Sequence, residues 1–187
     1  MKSLLLVPIK MLLVFTLITG MAYPMLVTGI ARVFFPLQAG GSPVKRNGRV
    51  VGSALIAQAF TGDAFFWPRP SAVRYATVPS GAGNGSPTSR RLAAEILERR
   101  MKWKSAAGEI PVDLLTASGS GIDPHISPEA ARIQLDRIAK ARHYSAGQRE
   151  ALKSLMERHT EGRQLGFLGE RRVNVLLLNI ELEELGR

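Results

Sequence analysis

Between Lys10 and Arg32 the chain runs for 21 residues, Met11 to Ala31, without a charge. Leu12, Leu13, Val14, Phe15, Leu17 and Ile18 open the run, and Leu26, Val27 and Ile30 continue it. About 20 apolar residues cross the hydrocarbon core as a helix, because an internally bonded backbone is what lipid tolerates. A cleaved signal peptide instead has an apolar core of about 7–15 residues with a small-residue cleavage site behind it. Here the run is longer, and Arg32, Val33, Phe34, Phe35 and Pro36 follow it with no small residue among them. We read a retained transmembrane helix over 11–35, with residues 1–10 as its N-terminal flank. Pro24 falls mid-span and is expected to kink the helix, with Thr28 or a neighbouring helix satisfying the freed carbonyl. Gly20 and Gly29 leave flat spots where another helix can approach.

The formal net charge is +10, unevenly placed. Residues 37–104 carry 11 basic and 3 acidic side chains, whereas residues 105–187 carry 11 and 12. Nucleic-acid binding is the first idea such a charge suggests. It is set aside, because the basic residues are not interleaved with an aromatic platform and no binding motif is present. A basic region beside a membrane facing anionic lipid or an acidic partner fits better. Lys2 and Lys10 favour a cytoplasmic N-terminus, while Arg32, Lys45, Arg46 and Arg49 argue the other way, so charge does not fix the topology. The absence of cysteine excludes disulfides, thiol catalysis and cysteine-based zinc sites.

Gly40-Gly41-Ser42-Pro43 marks a hinge within a linker over 36–48, and residues 49–187 are long enough for one domain. Val50 to Ala57 reads as a short strand, followed by Gln58, Phe60 and an aromatic cluster, then Arg69-Pro70-Ser71. Ser80 to Thr88 is a loop by composition; Asn84 lies in it, and no Gly-Lys-Ser/Thr follows to make it a nucleotide loop. Thr88 is placed to cap a helix carrying Leu92, Ala93, Ile96, Leu97 and Met101 at helical spacing. Ala131, Leu135, Ile138 and Ala139 mark another helix, and Ser145 with Gln148 forms a capping box for the next, the two making a helical hairpin. Val173 to Leu178 reads as a buried strand, with Asn179 capping a terminal helix. Strands and helices are segregated, so the expected fold is one N-terminal transmembrane helix followed by a single mixed α+β soluble domain.

The stretch Val112 to Ala131 alternates small residues with hydroxyls: Thr116, Ser118 and Ser120 around Ala117, Gly119 and Gly121. Asp123-Pro124-His125 follows, and Ser127-Pro128-Glu129 has the cap, first-turn proline and acid that favour a helix start. Asp123, His125 and Ser127 invite comparison with a catalytic triad. Triads are assembled from distant segments, however, and these residues sit two apart in one loop. Capping by Asp123 of its own backbone explains the pattern better. His125, His143 and His159 have no second ligand at metal-binding spacing.

The order of these residues resembles a signature of the C subunit of the bacterial Kdp potassium-transporting P-type ATPase. Four blocks carry the resemblance: Gly52 to Ile56 with Gln58, Phe60 and Arg69 to Ala72; the Ser80 to Thr88 loop; Thr116 to Pro128; and Leu165 to Glu170 with Val173-Asn174-Val175 and Leu178-Asn179. The second departs from the family pattern, having Gly83 and Gly85 around Asn84. The resemblance implies a non-hydrolytic subunit of an inner-membrane complex. Its partners would be a channel-like, potassium-binding A subunit, an ATP-hydrolysing B subunit and a small F subunit. ATP and potassium would be handled by the complex, with no cofactor bound tightly by this chain. The family is described as raising the pump subunit's ATP affinity, which makes it ATP-binding by association. It is also pictured with its soluble domain outside the cytoplasm, where ATP is absent. No nucleotide motif is found here, so the topology carries more weight. On this reading Thr116, Ser118, Ser120, Gly121, Asp123, Pro124, His125 and Ser127 are structural or touch a partner. Gln58, Phe60, Arg69, Pro70, Ser71, Asn84, Asn174 and Asn179 are candidate partner contacts. The alternatives are a membrane-anchored envelope enzyme using Asp123, His125 and Ser118, and a free-standing envelope binding protein.

Overall fold

The apolar run folds as one unbroken helical stretch in the computed structural model, which describes residues 2–103 and 108–185. α1 spans Lys2–Leu17, a π-helical turn covers Ile18–Ala22, and α2 spans Tyr23–Phe34. Within it Leu5–Phe34, 30 residues, is long and apolar enough to cross a membrane. At ~1.5 Å per residue this is about 45 Å, more than the ~30 Å of a hydrocarbon core. Pro24 has no N–H to give to the preceding turn, and the widened turn absorbs that mismatch. The Tyr23 N–H reaches back five residues to the Ile18 carbonyl. The hydroxyl that bonds the helix backbone here is that of Thr19, donating to Phe15 O at 2.7 Å, and not that of Thr28.

By its contacts the chain forms two units, Met1–Val51 and Gly52–Arg187. Within the stretch read as a linker lie a short helix, α3 (Pro36–Ala39), and strand β1 (Pro43–Arg46), which forms a hairpin with β2 (Arg49–Ser53). Asn47 and Gly48 turn it with φ of 49° and 77°, the left-handed pair that a two-residue hairpin turn demands. The strand expected to reach Ala57 stops at Ser53. Beyond it the backbone bonds elsewhere: Ala54 O accepts from Asn174, and Ala57 N–H donates to Ile122 O.

The second unit is built on a three-stranded antiparallel sheet in the order β3 (His125–Ile126), β5 (Arg172–Asn174), β4 (Thr160–Glu161). Its helices are α4 (Arg90–Lys102), α5 (Val112–Leu115), α6 (Pro128–Arg132), α7 (Leu135–Ala141), α8 (Ala146–Arg158) and α9 (Val175–Leu185). α8 packs on both α7 and α9. Phe66, Ile126, Ile138, Leu152, Leu155, Met156, Val173, Leu178 and Leu182 fill the core between these elements. A transmembrane-length helix followed by a mixed helix-and-sheet domain is the architecture expected from the sequence.

Four local expectations are corrected. Ser89, not Thr88, caps α4, its hydroxyl accepting from Leu92 N–H. No residue of α4 is buried, and Leu97 and Met101 are exposed, so its apolar spacing does not feed the core. The strand expected over Val173 to Leu178 ends at Asn174, because the Asn174 side chain accepts from Leu177 N–H and starts α9 there. Asn179 therefore lies inside α9 rather than capping it. The capping box of Ser145 and Gln148 is present as read.

Candidate functional site

The signature loop is held by the segment around Arg69, which it meets from more than 45 residues away in sequence. Arg69 Nη1 donates to Asp123 Oδ2 at 3.1 Å, and Ser118 N–H donates to Pro70 O at 3.1 Å. The Ser71 hydroxyl donates to Gly121 O at 2.6 Å and accepts from the N–H groups of Val73 and Tyr75. Tyr75 OH returns to Arg69 O at 2.9 Å. Burial raises the Tyr75 pKa, with Arg99 opposing, so the phenol remains a donor at neutral pH. Gly121 sits at φ 72° with Gly81 O and Val73 Cγ2 each 2.6 Å from where a Cβ would stand, so no side chain fits there.

Asp123 does turn on its own backbone, accepting from His125 N–H at 3.0 Å. Its other oxygen takes Arg69, and His125 Nδ1 lies 3.6 Å from Oδ1. Burial is the largest single influence and disfavours its ionised form. The hydrogen bonds from His125 and the charge and hydrogen bond of Arg69 together outweigh it, leaving the carboxyl below the usual aspartate range.

Ser127 is the N-cap of α6 and accepts from Ala130 N–H at 3.0 Å. Its hydroxyl proton goes to Asp113 Oδ1 at 3.2 Å, and its own N–H goes to Asp113 Oδ2 at 2.7 Å. Both capacities of the hydroxyl are therefore engaged away from His125. Pro124 is buried and its carbonyl accepts from Val175 N–H at 3.0 Å, while His125 pairs in register with Asn174. Thr116 donates to Val112 O, and Ser120 accepts from Ile122 N–H. Among the described residues no three His, Cys, Asp or Glu side chains are grouped to hold a metal ion.

Arg69, Asp123, His125 and Ser127 line one open groove of about 790 Å³. Asp113, Glu109, Glu129, Arg171 and Arg172 also face it, and sequence reasoning singled out none of these five for the site. Ser118 is buried and does not line this groove, so the trio Asp123, His125 and Ser118 is not assembled around it. Ser71, Asn84 and Thr116 meet at a second depression of about 670 Å³. Phe60 and Pro70 line a further depression of about 370 Å³. Gln58 fills the space over Gly52, Phe60 packs against the core, Asn174 donates to Ala54 O, and Asn179 bonds Phe66.

A family model described as the c chain of the K+-transporting ATPase, KdpC, matches residues 5–184. The chain belongs to the KdpC family. It is 48% identical over 180 residues to the potassium-transporting ATPase KdpC subunit of Leptospira interrogans, covering 95% of this chain and 92% of that one. Against the KdpC subunit of Geobacter sulfurreducens it is 50% identical over 183 residues, covering 95% of each. Against that of Rhodospirillum rubrum it is 51% identical over 175 residues, covering 90% and 89%. In this KdpC-family chain the signature residues thus sit in one hydrogen-bonded loop, with its polar side chains turned to backbone groups and to Arg69 and Asp113.

Proposed function

We propose that this chain is a non-hydrolytic accessory subunit of an ATP-driven potassium importer, assembling and stabilising a complex whose other subunits bind potassium and hydrolyse ATP. The observation that carries this is the employment of the signature residues. Asp123 serves Arg69 and His125, and Ser127 serves Asp113 and the start of α6. The Ser127 hydroxyl donates to Asp113 and accepts from a helix N–H, which is the bonding of a helix cap, and its proton is not directed to His125 as a triad would require. The partners on this reading are a channel-like, potassium-binding A subunit, an ATP-hydrolysing B subunit and a small F subunit. ATP and potassium contact those subunits, and this chain holds no tightly bound cofactor.

The chain spans the bacterial inner membrane once, with its N-terminus in the cytoplasm and its folded domain outside. One helix of spanning length and the family membership support this arrangement. Deleting the chain should abolish growth at low potassium and lower the recovery of the tagged ATPase subunit together with the channel-like subunit. Normal growth and normal recovery of both would reject the accessory role. A reporter fused after Arg187 should behave as extracytoplasmic, and a cytoplasmic result would reject the topology.

A further inference from the structure

The connection between β4 and β5 presents three large apolar side chains to solvent within four residues. Leu165 is 83% exposed, Phe167 69% and Leu168 47%. The tip is nonetheless well ordered by its own bonds. Gln164 and Leu168 exchange both backbone hydrogen bonds at 2.9 Å, closing a small turn over Leu165, Gly166 and Phe167. Leu165 takes a φ of 52°, a conformation that a leucine adopts only where its surroundings fix it. A turn that holds leucine in this way and shows a phenylalanine to water stabilises nothing visible in the chain itself. Clustered exposed apolar side chains with polar neighbours mark a surface meant to be covered.

The charges around the tip point to what covers it. Arg163 pairs with Glu170 at 2.9 Å, and Arg172 pairs with Glu161 at 2.8 Å. Arg171 is exposed and makes no ion pair among the described residues. An anionic bilayer attracts segments through several unpaired cations, and here two of three arginines are already neutralised. An apolar centre with a rim of paired charges and one free arginine is the composition of a protein interface. The same strand start carries Glu170, Arg171 and Arg172 into the groove formed by Arg69, Asp123 and His125. We propose that the Leu165–Leu168 tip and Arg171 form a docking site for a protein partner, another subunit of the complex. That partner would take Phe167 into an apolar pocket and offer a carboxylate to Arg171, covering the signature groove alongside. This rests on the assembly role proposed above.

The test uses the full chain in the intact complex. A photoreactive benzoylphenylalanine in place of Phe167 should cross-link on irradiation to another subunit. Cross-linking to lipid alone, or to no protein, would overturn the proposal. Phe167→Ala combined with Leu165→Ala, and separately Arg171→Glu, should lower recovery of the chain through the tagged ATPase subunit by about tenfold or more, as loss of an interface anchor does. The unfolding midpoint of the chain should stay unchanged, because these side chains are exposed. Recovery of the variants at the wild-type level would overturn the docking site while leaving the assembly role intact. Failure of the wild-type chain itself to be recovered would instead reject the assembly role. Should a variant lower stability, the cross-link alone decides.

Discussion

Asn179 holds Phe66 by both of its backbone polar groups. The side-chain oxygen accepts from Phe66 N–H at 2.8 Å, and the side-chain nitrogen donates to Phe66 O at 2.9 Å. Gln134 does the same for the next residue, accepting from Trp67 N–H at 2.7 Å and donating to Trp67 O at 3.1 Å. Arg137 adds bonds to Asp63 O and Phe65 O and lies 3.8 Å over the Trp67 ring. Its burial brings the Arg137 pKa down to about 10, with Asp63 opposing, which still leaves it charged at neutral pH. Two buried amides thus satisfy the backbone groups of Phe66 and Trp67, which lie outside any strand just before Arg69.

Asn179→Leu should therefore destabilise the fold far more than its size suggests. It orphans a buried N–H and a buried C=O, at about 1–3 kcal/mol for each unsatisfied group. Gln134→Leu should act similarly at Trp67. Denaturant unfolding of the full chain checks both, and a loss smaller than that of an ordinary surface substitution would refute the role given to these amides.

Ser127→Ala should cost about 1 kcal/mol as the α6 cap is lost. Asp113→Ala should cost at least as much, because it frees both the N–H and the hydroxyl of Ser127. As the two residues share bonds, the double variant should lose less than the sum of the single losses, measured by unfolding midpoints in a double-mutant cycle.

Asp123→Asn should reveal a pH-dependent contribution. The folded carboxyl has a depressed pKa, so the folded state favours the ionised form. That stabilisation is fully present above the unfolded carboxyl's pKa, about 3.9, and is lost as pH falls through the lower folded value. The stability gap between wild type and Asp123→Asn should be open at neutral pH and close in that acidic window. At neutral pH the assembled Asp123→Asn and His125→Gln complexes should still transport potassium. Loss of transport in a fully assembled complex that stays folded at the assay temperature would mean that the loop handles ions directly.

The membrane helix should do more than anchor. Its π-helical turn before Pro24, with Gly20 inside that turn and Gly29 beyond, gives it a shape that a straight helix lacks. Replacing residues 11–31 with polyleucine should preserve membrane insertion but lower recovery of the complex. Unchanged recovery and transport would reduce the segment to a tether.

The long apolar helix, the cap at Ser127 and the capping box at Ser145 were legible in the sequence because each is recorded in residues contiguous along the chain. Hydropathy and capping are near-neighbour properties, and a linear pattern records them. The same locality explains the errors. Nothing near Asn174 told strand from helix, because the choice falls where its side chain meets Leu177 N–H while its strand pairs with His125. Asn179 looked like a cap until Phe66, 113 residues away, claimed both of its polar groups. The sequence alone determined an α+β chain of recognisable family with an N-terminal apolar helix of spanning length, and a small-residue loop turning into a capped helix. Only the tertiary structure decided that Arg69 faces Asp123 across 54 residues, that Asp113 completes the Ser127 cap, and that Leu165, Phe167 and Leu168 stay outside the core. Those outcomes depend on which distant backbone groups are left without partners once the core closes, and no local pattern carries that information.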